Sequence, residues 1–189
     1  MTKKSTISTV LFMLLVGVIL LGSYKYMLSD NKIKSKENEK TQIQHMIDIN
    51  LEEDYPKTPR EVVKLYSKMM VHFYDLDAEE SDVLLLAKQS RKLLDAKLLE
   101  NNPTKEYLSA FKKELEEYKN NKLYIKKFQV ESHDEVVYFE EKGEKYAKVK
   151  AVYYMSENYH EVRTNQEYLL RQDKNDKWHI MGWSLVDDK

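Results

Sequence analysis

Cysteine is absent from this 189-residue chain, and glycine and proline are scarce, with four and three residues. The lack of cysteine excludes disulfides, thiolate-bound zinc, iron–sulfur clusters and a cysteine nucleophile. The glycines stand apart from one another, at Gly17, Gly22, Gly143 and Gly182. The chain therefore contains neither a P-loop nor a dinucleotide-binding fingerprint.

What is present is typical of a globular protein, because 42% of the residues are hydrophobic and 33% are charged. No His-Glu-x-x-His motif occurs, and the five histidines are scattered along the chain, at His45, His72, His133, His160 and His179. We therefore expect no metal and no cofactor, and the sequence assigns no catalytic residue.

The N-terminal region is the longest apolar stretch of the chain. Twenty residues without a charge lie between Lys4 and Lys25, and a helix of about 20 residues spans the hydrocarbon core of a bilayer. The pattern predicts a single transmembrane helix from Thr6 to about Tyr26, within an N-terminal region 1–28. The alternative is a cleaved signal peptide, but Leu21-Gly22-Ser23 is a poor cleavage site and Ser23 stands where a lipoprotein needs cysteine.

Lysines flank this segment on both sides, which bears on its orientation in the membrane. Lys3 and Lys4 favour a cytoplasmic N-terminus, whereas four lysines beyond the segment act in the opposite direction (Lys25, Lys32, Lys34 and Lys36). Because a short lysine-bearing tail usually stays inside, we expect a single-pass protein of the cell membrane with an extracytoplasmic domain. Residues 29–57 are predicted to be a juxtamembrane linker, with one amphipathic turn around Ile43, Met46 and Ile47.

A soluble domain is predicted over residues 58–189, beginning with helices. Thr58-Pro59-Arg60-Glu61 combines an N-cap threonine, a proline at the first helical position and a capping-box glutamate. The helix should run from Pro59 to Phe73 or Tyr74, with an apolar stripe on one side. A second helix is predicted from about Asp77, and a third from Pro103 to about Asn120.

After Lys122 the hydrophobic pattern changes to the period of strands. Five strands are predicted, over residues 123–131, 136–141, 145–155, 162–172 and 177–186. Residues 141–144 and 173–176 are typical of tight hairpin turns. The last strand is apolar on both faces, and we therefore expect it to lie in the centre of the sheet.

Helices followed by consecutive antiparallel strands indicate an α+β fold, with about three helices on a bent sheet of about five strands. This order, closing on the Trp178-x-Ile180-x-x-Trp183 strand, resembles the nuclear transport factor 2-like (cystatin-like) cone fold. The segments 55–63 and 101–103 resemble an uncharacterised family of bacterial membrane-anchored proteins. The cone resemblance implies a pocket between sheet and helices, and the uncharacterised family implies no catalytic residues.

Three histidines are candidate functional residues. A histidine beside an aspartate can act as a general acid or base, and His72 lies near Asp75 and Asp77 in the sequence. However, His72 falls outside the apolar stripe of its helix and is predicted to be solvated. His160 is predicted to lie in an exposed loop between strands. His179 is predicted to pack on the strand face that holds Met181 and Trp183.

Fourteen tyrosines and two tryptophans raise the possibility of a nucleic-acid platform, which also requires a positive groove. From Thr58 onward, 23 basic and 25 acidic side chains give a net charge of −2, so we expect no nucleic acid. The leading hypothesis is a membrane-tethered, non-enzymatic domain for protein assembly or ligand binding in the cell envelope. The alternatives are a small isomerase- or dehydratase-like enzyme with a pocket in the cone, and a domain that responds to an extracellular signal.

Overall fold

The computed structural model describes residues 42–187, in which helices precede an antiparallel sheet. The helices are α1 (Pro59–Phe73), α2 (Glu80–Ser90), α3 (Ala96–Asn101) and α4 (Thr104–Asn120), and residues 42–48 are also helical. The strands are β1 (Tyr124–Val130), β2 (Val137–Glu141), β3 (Glu144–Glu157), β4 (His160–Gln172) and β5 (Trp178–Leu185). Single 3-10 turns lie at Arg91–Leu93 and His133–Glu135.

The predicted transmembrane helix from Thr6 to Tyr26 lies outside the described residues, as does most of the predicted linker. No helix within residues 42–187 combines the length and hydropathy needed to cross a bilayer. The predicted α+β class is confirmed, with a five-stranded antiparallel sheet.

Helix α1 begins where its capping signals predict. The Glu61 amide donates to Thr58 Oγ1 at 3.2 Å, and the Thr58 amide donates to Glu61 Oε2 at 3.1 Å. The two residues thus satisfy each other's free amides, and Pro59 has no amide hydrogen to satisfy. Helix α2 starts at Glu80, three residues later than predicted, and the short helix α3 was not predicted.

Strand β3 organises the sheet. Its first half pairs with β2 and its second half with β1, while β4 pairs with it from Tyr146 to Glu157. The β3–β4 hairpin is longer than predicted because Asn158 and Tyr159, both with positive φ, close a two-residue turn. His160 is accordingly the first residue of β4 and not a loop residue, which corrects its predicted position.

Strand β5 lies at the edge of the sheet, in the order β1-β3-β4-β5, so its predicted central position is wrong. Two other features explain why this edge strand carries apolar residues on both faces. Leu94 bridges Ile180 across the outer edge, where the Asp95 amide donates to the Ile180 carbonyl at 2.8 Å. In addition, the pairing with β4 shifts at Met181, a β-bulge that places Trp183 on the same face as Ile180.

The core lies between α1 and the sheet and continues beneath the residues that precede Thr58. Met46 and Leu51 belong to the core cluster, Ile43 is buried, and Gln89 Nε2 donates to the Ile49 carbonyl at 2.6 Å. The compact unit begins at Ile43. The packed domain therefore starts 15 residues before the boundary predicted at Thr58.

Candidate functional site

A cleft of about 520 Å³ opens between α1 and α4, beside the segment that connects α2 to α4. Seven of its lining residues are aromatic: Tyr66, Phe73, Tyr74, Tyr107, Phe111, Tyr118 and Trp183. The lining also includes Arg91, Asn102, Glu106, Ala110 and Glu114. This volume falls within the range of small-molecule sites, about 300–1,000 Å³.

Stacked rings join the two helices that form the walls of the cleft. Phe73 of α1 meets Phe111 of α4 edge to face, with ring centroids 5.2 Å apart. Tyr74 stacks on Tyr118 at 4.5 Å and 17°. Such pairs contribute about 0.5–1.5 kcal/mol beyond their buried area. They fix the separation of the walls, while Trp183 of β5 remains 47% exposed at the cleft.

Arg91 places a positive charge in this aromatic setting. Its side chain is nearly buried, with 7% of the residue exposed, and Nη2 donates to the Asn102 carbonyl at 2.6 Å. The guanidinium carbon lies 4.7 Å from the ring centroid of Tyr107, a cation–π contact. Nη1 is buried and has no hydrogen-bond partner. A buried donor without an acceptor costs about 1–3 kcal/mol, or more for a charged group, so this atom calls for an explanation.

The phenols of the cleft remain protonated at neutral pH. Burial raises the pKa of Tyr66, Tyr74, Tyr107 and Tyr118 above the ordinary value of 10.0. For Tyr107 the Arg91 guanidinium opposes this rise, and for Tyr74 a hydrogen bond with Tyr118 opposes it. Each phenol therefore keeps its hydroxyl proton and can act as a hydrogen-bond donor.

Two carboxylates accompany these donors on α4. Glu106 and Glu114 are exposed residues that line the cleft, and the Tyr118 hydroxyl donates to Glu114 Oε2 at 3.3 Å. Water screens exposed charges strongly, whereas the guanidinium of Arg91 is shielded from it. The cleft thus has a buried positive group and an acidic, solvated rim.

The space between α1 and the centre of the sheet is filled by a hydroxyl network. Ser67 Oγ lies 2.6 Å from the Tyr153 hydroxyl, which lies 2.7 Å from the Tyr168 hydroxyl. The Tyr168 hydroxyl also lies 2.7 Å from Gln166 Oε1 and 3.6 Å from the sulfur of Met70. These polar atoms satisfy one another's hydrogen bonds inside the core. Ser67, Tyr153 and Tyr168 do not line the cleft, so the open volume lies outside this network.

His72 is nearly buried, with 8% of the residue exposed, which corrects the solvated position predicted for it. Burial lowers its pKa below 6.5, and the nearby Asp75 offsets part of that effect. His72 does not line the cleft. Its predicted partner Asp75 accepts a hydrogen bond from the Asp77 amide at 2.9 Å in a local turn.

His179 packs as predicted, but not beside Trp183, because the bulge at Met181 moves that tryptophan to the other face. Its Nδ1 lies 3.1 Å from the Tyr55 hydroxyl, and its Nε2 lies 3.2 Å from Asp173 Oδ2. The Tyr55 hydroxyl donates to the Trp178 carbonyl at 2.7 Å. His179 therefore links the segment before α1 to the β4–β5 hairpin. His160 is exposed at the start of β4.

Sequence reasoning missed Arg91. Nothing in the local pattern separates it from the exposed Lys92 next to it, because its burial depends on contacts with Asn102 and with Tyr107 of α4. Among residues 42–187, no three histidine, aspartate or glutamate side chains converge in a way that would hold a metal ion.

Comparison with curated proteins gives no match. A family described as Domain of unknown function (DUF6715) matches residues 1–183. The match runs from the N-terminal apolar stretch through the helices that form the cleft to Trp183 in β5. Because it covers nearly the whole chain, the protein belongs to the family Domain of unknown function (DUF6715).

Proposed function

We propose that this protein is a membrane-tethered, non-enzymatic domain that binds a small ligand in the cell envelope. The observation that carries the proposal is the aromatic cleft between α1 and α4, which is open at about 520 Å³. An edge-to-face pair, Phe73–Phe111, and a stacked pair, Tyr74–Tyr118, connect its walls. Preformed clefts of this size, with mainly apolar walls and a few polar groups, are the usual form of ligand sites.

The chemistry of the cleft favours binding over the rival hypothesis of an acid–base enzyme. That rival needs a histidine facing a carboxylate in a wet pocket. His72, His160 and His179 lie outside the described lining of the cleft, whose carboxylates, Glu106 and Glu114, are solvated. The tyrosines keep their protons, so the cleft offers neutral donors and flat apolar surfaces.

The tether rests on the N-terminal sequence. The 20 uncharged residues between Lys4 and Lys25 have the length of a bilayer span, and the family match includes them. The order of helices and strands also supports the resemblance to the nuclear transport factor 2-like cone, in which a pocket lies beside the sheet. From these two observations we propose an extracytoplasmic domain that is attached to a single membrane helix.

Fluorine NMR on protein labelled with 5-fluorotryptophan tests the cleft, because the chain has only two tryptophans. Trp183 lines the cleft and Trp178 does not. A panel of small aromatic probes should shift the Trp183 resonance alone, and Ala110→Phe should abolish the shift by filling the cleft without adding a third tryptophan. Ser109→Phe is the matched control, since Ser109 is the exposed neighbour and does not line the cleft. A panel that leaves Trp183 unmoved, or an effect that survives in Ala110→Phe, would refute ligand binding here.

The tether is tested by alkaline extraction of membranes and by thiol labelling. The full-length chain should remain with the bilayer, whereas a chain shortened to begin at Gln42 should be released. The natural chain has no cysteine, so Lys174→Cys in the exposed β4–β5 turn creates a unique thiol. In intact cells an impermeant maleimide should label this thiol and leave Thr2→Cys unlabelled. The reverse labelling pattern would place the domain in the cytoplasm.

A further inference from the structure

The buried Nη1 of Arg91 is a charged donor without an acceptor in the wall of an open cleft. We propose that the ligand of this cleft is a small monocarboxylate with a flat apolar body, and that Arg91 receives its carboxylate. This inference rests on the proposed binding function and adds the chemical class of the ligand. The carboxylate would provide the acceptor that Nη1 lacks.

The donor set around Arg91 suits a carboxylate. A guanidinium presents donors in a plane that matches the two oxygens of a carboxylate, and charge-assisted hydrogen bonds are about twice as strong as neutral ones. Nη2 is already used by the Asn102 carbonyl, which fixes the orientation of the guanidinium. The protonated hydroxyls of Tyr66 and Tyr107 supply further donors within the same lining.

The rim limits the charge of the ligand. Glu106 and Glu114 carry negative charge at the exposed side of the cleft, so a second anionic group on the ligand would be repelled there. One carboxylate directed toward Arg91 avoids this repulsion. The remainder of the ligand would contact the rings of Tyr74, Tyr107 and Trp183, which favours an aromatic or other flat apolar body.

The ring of Tyr107 lies over the guanidinium of Arg91, with 4.7 Å between the guanidinium carbon and the ring centroid. Nη1 is sealed from solvent, so the proposed complex requires a side-chain movement that opens Nη1 to the cleft. We assign this movement to the half-buried Tyr107 ring, which turns aside when the carboxylate enters. The ligand then replaces a cation–π contact with a charge-assisted hydrogen bond, and Tyr107 becomes part of the wall that contacts the ligand.

The test compares 1-naphthaleneacetate with its neutral isostere, 1-naphthaleneacetamide. Both are titrated into the full-length protein in lipid nanodiscs, so that no free detergent competes for the cleft, and empty nanodiscs correct for partition into lipid. Binding is read from the fluorine resonance of Trp183. We expect the acid to bind about tenfold more tightly than the amide, or more.

Arg91→Gln should reduce this preference to within about twofold, because it removes the charge and retains a polar side chain. Lys92→Gln is the matched control, since it removes the same charge from the exposed neighbouring residue and should leave the preference unchanged. The wild-type comparison of acid with amide decides the ligand class even if Arg91→Gln fails to fold.

The outcomes separate this inference from the proposed function. Equal binding of acid and amide by the wild-type protein would overturn the monocarboxylate class and leave the cleft as a ligand site. A preference for the acid that persists in Arg91→Gln would overturn the role of Arg91. If neither compound shifts Trp183 and the probe panel also fails, the proposed binding function falls together with the inference.

Discussion

Leu51 lies eight residues before the first predicted helix, yet it is 3% exposed and belongs to the core cluster. We predict that Leu51→Ala strongly destabilises the protein, although the sequence pattern places this residue in a solvated linker. The prediction tests whether residues 43–57 are part of the folded domain.

The magnitude follows from the buried methylene groups. Removing the equivalent of three buried methylenes costs about 2.5 kcal/mol at about 0.8 kcal/mol each, and the remaining cavity adds about 1 kcal/mol. Residual burial in the unfolded chain reduces the total, so we expect a loss of about 3 kcal/mol in the free energy of unfolding. For a chain of this size that corresponds to a fall of roughly 6–12 °C in Tm.

Thermal unfolding of the full-length protein in nanodiscs, followed by tryptophan fluorescence, measures this loss. Leu85→Ala is the matched control because Leu85 is 50% exposed on α2, and it should change the stability by less than about 0.5 kcal/mol. If Leu51→Ala behaves like Leu85→Ala, the segment is a loosely attached stalk and its assigned packing is wrong.

Two further predictions concern charged groups. Asp95→Asn should cost about 2 kcal/mol of unfolding free energy, because it removes the carboxylate that now lies 2.8–3.1 Å from the Arg171 nitrogens. The loss stays below that of a fully unpaired buried charge, since Arg171 keeps Glu144 at 3.2 Å and an asparagine can still cap α3 as Asp95 does. Urea unfolding measures the loss, and an unchanged midpoint contradicts it. Burial lowers the pKa of His72, so the unfolded chain binds more protons below pH 6.5 and stability falls as pH drops through that value toward the folded pKa. His72→Gln should flatten this dependence of Tm between about pH 7.5 and about pH 5.5, and an unchanged slope would show that other groups cause it.

The sequence predicted the elements that depend on neighbouring residues alone. The capping box at Thr58 and Glu61 defines the start of α1, and the change from helical to strand period after Lys122 marks the start of the sheet. The turn at Asn158 and Tyr159 was missed because neither residue is the glycine usually expected at positive φ. Nevertheless, the strands predicted on both sides of it, over residues 145–155 and 162–172, are present as β3 and β4.

Tertiary effects account for what sequence reasoning missed. Period-two counting placed Trp183 with Met181, and one bulged residue reverses that assignment. The pattern Trp178-x-Ile180-x-x-Trp183 has its extra position for this reason, since the bulge keeps all three apolar side chains on the core face. Arg91 was not found because its burial depends on contacts with Asn102 and with Tyr107 of α4, which lie beyond the reach of a local pattern.

The exposed edge of strand β2 affects how readily the protein aggregates at high concentration. Among the described strands it pairs with β3 alone, all five of its residues are exposed, and Val137, Tyr138 and Phe139 present apolar surface. An apolar strand with an open edge is a template for intermolecular pairing. Glu140 and Glu141 end the strand with two negative charges. Charged side chains at the end of an apolar edge strand oppose its pairing with other chains, so replacing both glutamates with neutral residues should increase aggregation at high protein concentration.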